Sequence, residues 1–367
     1  MPVADDAARY HRARLVLGAL GLFLGAAYLL GVLMTGAAAW LTRAIAEWPW
    51  WIQLALVASV LGVTYRALVA PLAWARGWWL PRRYGLLRQP LSAWLVDQAK
   101  AAALSALLAL GGLELIYGLL RATPRWWWLA AAAVFLIVYV VLAVVLPVWI
   151  VPLFYRLTPL ADEDLRARLL ALAARVGAPA VGVSVADQSR KSRTANAAVL
   201  GLGRTRRILL FDTLLDFAPR EVEAVLAHEL GHHVHRDTWR SLAFQGALTL
   251  VGFAIAQGAL AAGVAWWQLR DVADPAGLPW LAFVLGAVAL VTLPLANGYS
   301  RWIERRADDF ALRVTRDPDS FIGAMERLAG LNLAERRPHR LKELLLYSHP
   351  AIDRRIARAR IGPALTR

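Results

Sequence analysis

Long apolar stretches constrain the fold of this chain more than any other feature. The first, Leu15–Leu41, contains no charged residue and is long enough to cross a bilayer as a helix. Five further stretches follow near Trp50–Trp74, Ala99–Leu120, Trp126–Ile150, Leu242–Trp267 and Trp280–Tyr299. With 59% hydrophobic residues and a mean hydropathy of +0.48, the composition is that of a membrane protein rather than a soluble domain. We therefore predict a predominantly α-helical, polytopic membrane bundle of six spans.

The basic residues indicate how this bundle is oriented. The formal net charge is +15, but the arginines cluster between the apolar stretches, as the positive-inside rule requires. We therefore expect the protein to interact with a lipid bilayer and not with nucleic acid. An inside N-terminus and six spans place residues 75–90, 151–237 and the C-terminal tail in the cytoplasm. Since the chain has no Cys, any metal site must use His and carboxylate ligands.

Residues 151–237 differ from the apolar stretches in character. Asp162–Val176 has the pattern of an amphipathic helix that begins with acidic residues and stops at Gly177. Three short β-like runs follow at Val181–Val185, Ala197–Leu200 and Ile208–Phe211. The Gly-x-Gly within residues 201–207 is a hairpin-turn signal, and without the rest of a dinucleotide fingerprint it does not indicate nucleotide binding. We predict a small α+β insert on the cytoplasmic side.

The segment Ala227-His228-Glu229-Leu230-Gly231-His232-His233 carries the chemistry. On a helix that begins near Pro219, His228 and His232 lie one turn apart on the same face. Two imidazoles at that spacing can bind one Zn²⁺, and Glu229 between them is a candidate general base. The alternative interpretation is a surface helix that happens to contain several histidines.

A zinc hydrolase needs a third protein ligand on the same side of the membrane. Glu304 follows the sixth span closely and meets this requirement. Asp308, one turn further on, can accept the free ring N–H of a ligand histidine and fix its tautomer. The alternative is a solvated charged helix in which these carboxylates pair with Arg301 and Arg305.

The chain therefore divides into four parts. Residues 1–150 form a four-span membrane region, and residues 151–237 form the insert that ends in the zinc-binding helix. Residues 238–300 supply two further spans. Residues 301–367 form a helical tail that carries the third ligand.

Several separate motifs resemble the type I CAAX prenyl proteases, which are integral-membrane zinc metallopeptidases. The resemblance covers nearly the whole chain and rests on Pro152-Leu-Phe-Tyr-Arg-Leu-Thr-Pro159, Asn196-Ala197, Arg207-Ile-Leu-Leu-Phe-Asp-Thr-Leu-Leu215, Leu226-Ala-His-Glu-Leu-Gly-His232, Glu304-x-x-x-Asp308, and Ser348-His-Pro350 with Arg355-Ile356. It implies a membrane bundle that encloses a chamber. It also implies one Zn²⁺ per chain, held by His228, His232 and Glu304. The preference for Arg over Lys and the richness in Ala and Leu indicate a GC-rich bacterial genome, so we expect a bacterial inner membrane.

The resemblance also implies which residues take part in catalysis and in substrate binding. Glu229 would act as base and acid, and Asp308 would support a ligand. Asn196 and Ala197 would lie on an edge strand that pairs with the peptide, while His349 and Arg355 would bind the scissile peptide or its oxyanion. From the residues alone, His349 is an unremarkable surface histidine, and His233, His235 and His339 are bystanders.

Two departures from the family pattern bear on the substrate. Ala198 stands where the family usually has an aromatic residue after Asn-Ala, and six spans are predicted where eukaryotic members have seven. We expect a monomeric endopeptidase that cleaves near the C-terminus of prenylated or otherwise hydrophobic peptides. The alternatives are a membrane-protein quality-control protease of the bacterial heat-shock type and, from another class, an ion-binding transporter or scaffold.

Overall fold

The computed structural model describes residues 2–145, 149–201 and 206–362 and is mostly helical. Five helices in this part of the chain are long and apolar enough to cross a membrane. They are α1 (Pro2–Met34), α3 (Trp50–Trp74), α5 (Leu91–Ala122), α10 (Asp237–Trp266) and α11 (Leu278–Thr315). The predicted fourth span is α6 (Trp127–Val145), which is apolar over the shorter stretch Trp127–Leu142. Its continuation at residues 146–148 lies outside the described residues.

The first span ends earlier than the sequence predicted. Helix α1 stops at Met34, and Gly36 adopts a left-handed conformation with φ of 65° before the short helix α2 (Ala37–Ala44). The prediction that one span runs on to Leu41 is therefore wrong. An apolar run indicates that its side chains favour a lipid environment, but it does not mark where a helix ends. The left-handed conformation of Gly36 ends the helix here.

Short helical segments connect the spans to one another and to the insert. A π-helical turn (Ala75–Trp79) joins α3 to α4 (Leu80–Arg83), and α7 (Val151–Phe154) precedes the insert. The third span, predicted near Ala99–Leu120, is part of the longer helix α5, which begins at Leu91. The chain leaves the helical conformation between α4 and α5, where Leu87 forms an isolated β-bridge with Ser192.

The insert is a four-stranded mixed sheet packed against helices. Its strands are β1 (Leu157–Pro159), β2 (Val183–Ala186), β3 (Ala197–Leu200) and β4 (Arg207–Phe211), in the order β1-β2-β4-β3. Strand β2 runs parallel to β4, while the β1–β2 and β3–β4 pairs are antiparallel. Residues 202–205 of the predicted hairpin turn lie outside the described residues. In the order β1-β2-β4-β3, strand β3 lies at one edge of the sheet.

Two helices of the insert match their sequence signals. Helix α8 (Glu163–Arg175) begins where Asp162 accepts the backbone N–H of Leu165 at 2.9 Å. Helix α9 (Pro219–Val234) begins at the predicted proline, and Glu221 accepts the Ala218 backbone N–H at 3.0 Å. The Glu221 carboxylate thus satisfies the N–H that precedes the helix, whereas Ala218 offers no side-chain acceptor to the N–H groups of the first turn.

The C-terminal part attaches to the end of the sixth span. It contains α12 (Pro318–Leu331), α13 (Arg340–Leu346) and α14 (Ile352–Ile361). The buried Arg301 of α11 donates to the carbonyl oxygens of Glu343 and Leu344, at 2.8 Å and 3.2 Å. A cation at the C-terminal end of a helix satisfies its free carbonyl groups. Arg301 therefore fixes α13 to the membrane helix.

Three buried apolar clusters lie among the described residues, and the two larger ones form the main cores. One packs the sheet, α8 and α9 against α11, α12 and α14, with Leu169, Ile208, Leu226 and Phe321 fully buried. The other lies within the bundle of α3, α5, α6, α10 and α11 around Trp127. A cavity of about 670 Å³ lies among the spans and is lined by apolar side chains together with Tyr28 and Tyr65. Because α11 belongs to both cores, it joins the membrane bundle to the insert.

Helices α10 and α11 approach each other closely at Gly263. A Cβ atom at Gly263 would lie 2.5 Å from Cδ1 of Trp280, whose indole nitrogen donates to the Ala259 carbonyl at 2.8 Å. The glycine therefore provides the space into which the indole ring packs.

We expect Gly263→Ala to lower the free energy of unfolding by about 1–3 kcal/mol, because the added methyl group overlaps the Trp280 ring. Thermal unfolding of the detergent-solubilised protein measures this change. Gly258→Ala is the matched control, since it lies on the same helix and its added Cβ would meet no atom within 4 Å. An equal melting temperature for the two variants would contradict the proposed contact.

Candidate metal centre

Three side chains from α9 and α11 converge on one site. It lies at the end of the bundle that the arginine pattern predicts to face the cytoplasm. Nε2 of His228 lies 3.3 Å from one Glu304 carboxylate oxygen, and Nε2 of His232 lies 3.7 Å from the other. One ligand atom from each residue lies within 4.8 Å of the others. His228 and Glu304 are buried, and His232 is half-buried. The two histidines and the glutamate predicted as ligands are thus brought together.

Two carboxylates orient the histidines. Oδ1 of Asp308 lies 2.8 Å from Nδ1 of His228, and Oδ2 of Asp237 lies 3.1 Å from Nδ1 of His232. Each carboxylate accepts a ring N–H and leaves the opposite nitrogen, Nε2, free as a ligand toward Glu304. Both imidazoles are therefore held in the tautomer that a metal ion needs.

The close approach of α9 and α11 depends on Gly231. A Cβ atom at this position would lie 3.2 Å from the Ala307 Cα atom and equally close to Phe310. A larger side chain would push the two helices apart and carry Glu304 away from the histidines. The glycine inside the His-Glu-x-x-His motif thus has a packing function.

The ligand set fits Zn²⁺. Ligands about 2.0–2.1 Å from a tetrahedral ion lie roughly 3.3 Å from one another, close to the observed separations. The buried oxygen Oε2 of Glu304 lies 3.3 Å from Nε2 of His228 and 2.9 Å from Nδ1 of His349. Burial disfavours the charged form of His228, but Asp308 and Glu304 outweigh that effect and raise the pKa of His228 to about 10. The site therefore attracts positive charge.

Glu229 faces the same cleft as the ligands. The cleft has a volume of about 440 Å³, and its lining includes Asn196, His228, Glu229 and Glu304. Burial raises the pKa of the Glu229 carboxyl, while the neighbouring histidines act in the opposite direction. A carboxylate with a raised pKa is suited to accept a proton and later return it.

His349 and Arg355 reach the cleft from the C-terminal part. Nδ1 of His349 lies 2.9 Å from Oε2 of Glu304, and the His349 side chain is 62% exposed. The guanidinium of Arg355 donates two hydrogen bonds to Asp308, at 2.6 Å and 2.9 Å. Arg355 also lies 3.4 Å from Nδ1 of His228. Arg355 thus supports the ligand system directly, an ion pair that the sequence interpretation did not include.

Asn196 and Ala197 lie at the edge strand, across the cleft from the ligands. Asn196 is exposed, and its side-chain oxygen accepts the Ala197 backbone N–H at 2.9 Å. Ala197 is the first residue of β3, and its side chain belongs to the core of the insert. The residues just before β3, which are Thr194, Ala195 and Asn196, line the cleft.

The sequence interpretation missed Asp237. It lies five residues after His232, and the chain turns at Arg236, where φ is 56°. Arg306 of α11 also donates to Asp237, at 3.3 Å. A signal was present, because every ligand histidine needs an acceptor for its second nitrogen and Asp237 is the first carboxylate after the motif.

We expect Asp308→Asn to weaken zinc affinity by about 10–100-fold, because the amide cannot supply the negative charge that His228 and Arg355 share. Competition between the protein and a calibrated chelator measures this affinity. Asp309→Asn is the matched control, since Asp309 pairs with Arg358 and contacts no ligand histidine. Equal zinc affinities for the two variants would exclude a supporting role for Asp308.

Comparison with known proteins agrees with this geometry. Residues 159–361 match Peptidase family M48, and residues 3–156 match the family described as "CAAX prenyl protease N-terminal, five membrane helices". The chain is 21% identical to the protein in the crystal structure of S. mikatae Ste24p. The superposition has a TM-score of 0.87 and covers 97% of this chain and 88% of the other. The two proteins therefore share a fold.

Two curated relatives are similar in sequence. "Uncharacterized metalloprotease YhfN" of Bacillus subtilis is 26% identical over 305 residues, which span 82% of this chain and 71% of that protein. CAAX prenyl protease 1 of Saccharomyces cerevisiae is 36% identical over 167 residues, which span 44% of this chain and 36% of that protein. These matches confirm the resemblance to the CAAX prenyl protease family and set aside the transporter or scaffold alternative. The chain belongs to peptidase family M48, as a multi-pass integral membrane zinc metallopeptidase whose metal site is formed by His228, His232 and Glu304.

Proposed function

We propose that this metallopeptidase hydrolyses a peptide bond near the C-terminus of prenylated or otherwise hydrophobic peptides, at a site on the cytoplasmic side of a bacterial inner membrane. The observation that carries this proposal is the cleft beside the metal ligands, which Glu229, His349 and the Asn196 edge line together. The chain would act as a monomer. The four-part division of the chain and the arginine-based orientation belong to the same proposal.

The metal supplies electrophilic chemistry. Zn²⁺, when bound to His228, His232 and Glu304, lowers the pKa of water and polarises a carbonyl group. The protein's part is to hold these ligands rigidly, through Asp308 and Asp237, with the cleft open beside them.

Glu229 would transfer the proton. Its carboxylate accepts a proton from the attacking water and delivers it to the leaving amine as the peptide bond breaks. The raised pKa of Glu229 favours the protonated state between these two steps. No other carboxylate in the cleft is free for this task among the described residues, because Glu304 is a ligand.

His349 and Arg355 would bind the scissile carbonyl as negative charge develops on its oxygen. His349 is exposed to the cleft and lies 2.9 Å from Glu304, and it would exchange this contact for the substrate. Two donors of Arg355 are occupied by Asp308, which leaves the remaining N–H groups of its guanidinium for the substrate.

The hydrophobic substrate is inferred from the membrane bundle. A cavity of about 670 Å³, lined mainly by apolar side chains, lies among the spans near the first turns of α11, and such a lining suits an apolar ligand within the bundle. The relatives named as CAAX prenyl protease 1 and the matching N-terminal family support a prenylated peptide over the substrates of a quality-control protease. We retain the quality-control protease as the alternative for the physiological substrate.

We expect Glu229→Gln to lower kcat for a farnesylated CAAX peptide by about 10²–10⁴-fold while the zinc content stays the same, because only proton transfer is removed. Metal analysis and product quantification by mass spectrometry measure the two quantities. Glu223→Gln is the matched control, because Glu223 lies on the same helix and pairs with Arg168 rather than facing the ligands.

The possible outcomes separate the parts of the proposal. Equal cleavage by wild type and Glu229→Gln would contradict the proton-transfer role. Cleavage of the farnesylated peptide and of its unprenylated counterpart at equal rates would remove the lipid preference. Cleavage of unfolded membrane proteins alone would favour the quality-control alternative.

A further inference from the structure

Side chains occupy part of the outer edge of β3 and of the extended residues that precede it. Residues of a strand alternate in the direction of their backbone N–H and C=O groups. The Asn196 carbonyl accepts the Phe211 N–H at 3.0 Å, so Asn196 points toward β4. Ala195, Ala197 and Val199 therefore direct their backbone groups to the outer edge, where a peptide substrate would pair.

Asn332 occupies this edge at Ala195. Its side-chain oxygen accepts the Ala195 N–H at 3.0 Å, and its amide nitrogen donates to the Ala195 carbonyl at 3.2 Å. One side chain thus makes both hydrogen bonds that a neighbouring strand would make. Just before this point, the Arg193 N–H donates to the Leu86 carbonyl, so the edge is also covered there.

His233 occupies the other end. Its Nε2 lies 2.9 Å from the Val199 carbonyl oxygen, and since a carbonyl only accepts, the ring donates this hydrogen bond. Between the two occupied ends, the Ala197 carbonyl and the Val199 N–H have no hydrogen-bond partner within the described ranges. The Ala197 N–H is held only by the neighbouring Asn196 side chain.

We propose that Asn332 and His233 are positioning residues that close the β3 edge at its two ends, so that a substrate can pair through no more than about three extended residues around Ala197. This inference rests on the proposed function, in which a peptide pairs with β3. It narrows the substrate class to peptides with a short extended segment at the scissile bond. Backbone groups of the peptide beyond that segment form no hydrogen bonds with β3 and therefore add nothing to binding.

The wild-type zinc enzyme tests this limit directly. Peptides that share one scissile sequence and carry two added residues at either end should have the same KM as the short peptide. N-methylation of amides inside the central segment should raise KM, whereas methylation of the added amides should leave it unchanged. A KM that falls with length, or that responds to methylation of the added amides, would overturn the proposal.

Removing either Asn332 or His233 should make KM depend on the length of the peptide. In Asn332→Ala the freed Ala195 groups can bind the longer peptide, and each added hydrogen bond should lower its KM by about two- to tenfold relative to the short peptide, with kcat unchanged. His233→Ala should act in the same way for the extension at the opposite end. N-methylation of the added amides should abolish both gains, which a general loosening of the structure would not do.

Two matched variants serve as controls. Asn297→Ala removes a similar amide-to-carbonyl hydrogen bond, to Leu345, and His235→Gln changes a histidine that contacts Phe310 rather than β3. Both should keep the wild-type KM for every peptide. An unchanged length ratio in Asn332→Ala and His233→Ala would overturn the positioning roles. Failure of the short peptide itself to be cleaved would instead overturn the proposed function.

Discussion

The site depends on the burial of two carboxylates, Glu304 and Asp308, one turn apart on α11. A buried carboxylate is costly unless cations or hydrogen-bond donors surround it. His228 lies between the two, and Arg355 forms a bidentate ion pair with Asp308. Oε2 of Glu304 faces Nε2 of His228 at 3.3 Å and Nδ1 of His349 at 2.9 Å, and a metal ion bound beside these groups would supply further positive charge to the carboxylate.

The need to neutralise the buried carboxylates of Glu304 and Asp308 links the membrane bundle to the sheet. Helix α11 carries both carboxylates on the continuation of a membrane span, whereas α9 brings the histidines from the insert. The two helices approach each other closely where residue 231 has no side chain, since a Cβ atom there would lie 3.2 Å from the Ala307 Cα atom. Zn²⁺ binding and the packing of the insert on the bundle are therefore expected to stabilise each other.

Much of the centre could be predicted because it follows helical periodicity. The four-residue spacing of His228 and His232, and of Glu304 and Asp308, places each pair on one helix face. The strands near Ala197 and Ile208 were predicted from local β propensity; Ala197–Leu200 was found with the predicted bounds, and the second strand begins at Arg207 rather than Ile208. These features depend on residues that are close in sequence.

The features that the sequence did not reveal depend on chain reversal or on distant contacts. Asp237 reaches His232 because the chain turns at Arg236, and Gly36 ends the first span within an apolar run. Asn332 binds Ala195 across 137 residues, and His233 was interpreted as a bystander because its partner is a backbone carbonyl. No local pattern records such contacts, since backbone groups are the same at every position.

The most direct test of the account is anomalous diffraction at the zinc absorption edge from crystals of the purified protein. The account predicts one peak per chain, about 2.0–2.2 Å from Nε2 of His228, Nε2 of His232 and a carboxylate oxygen of Glu304. A map with no peak at this position, or with its zinc bound by other residues, would contradict it.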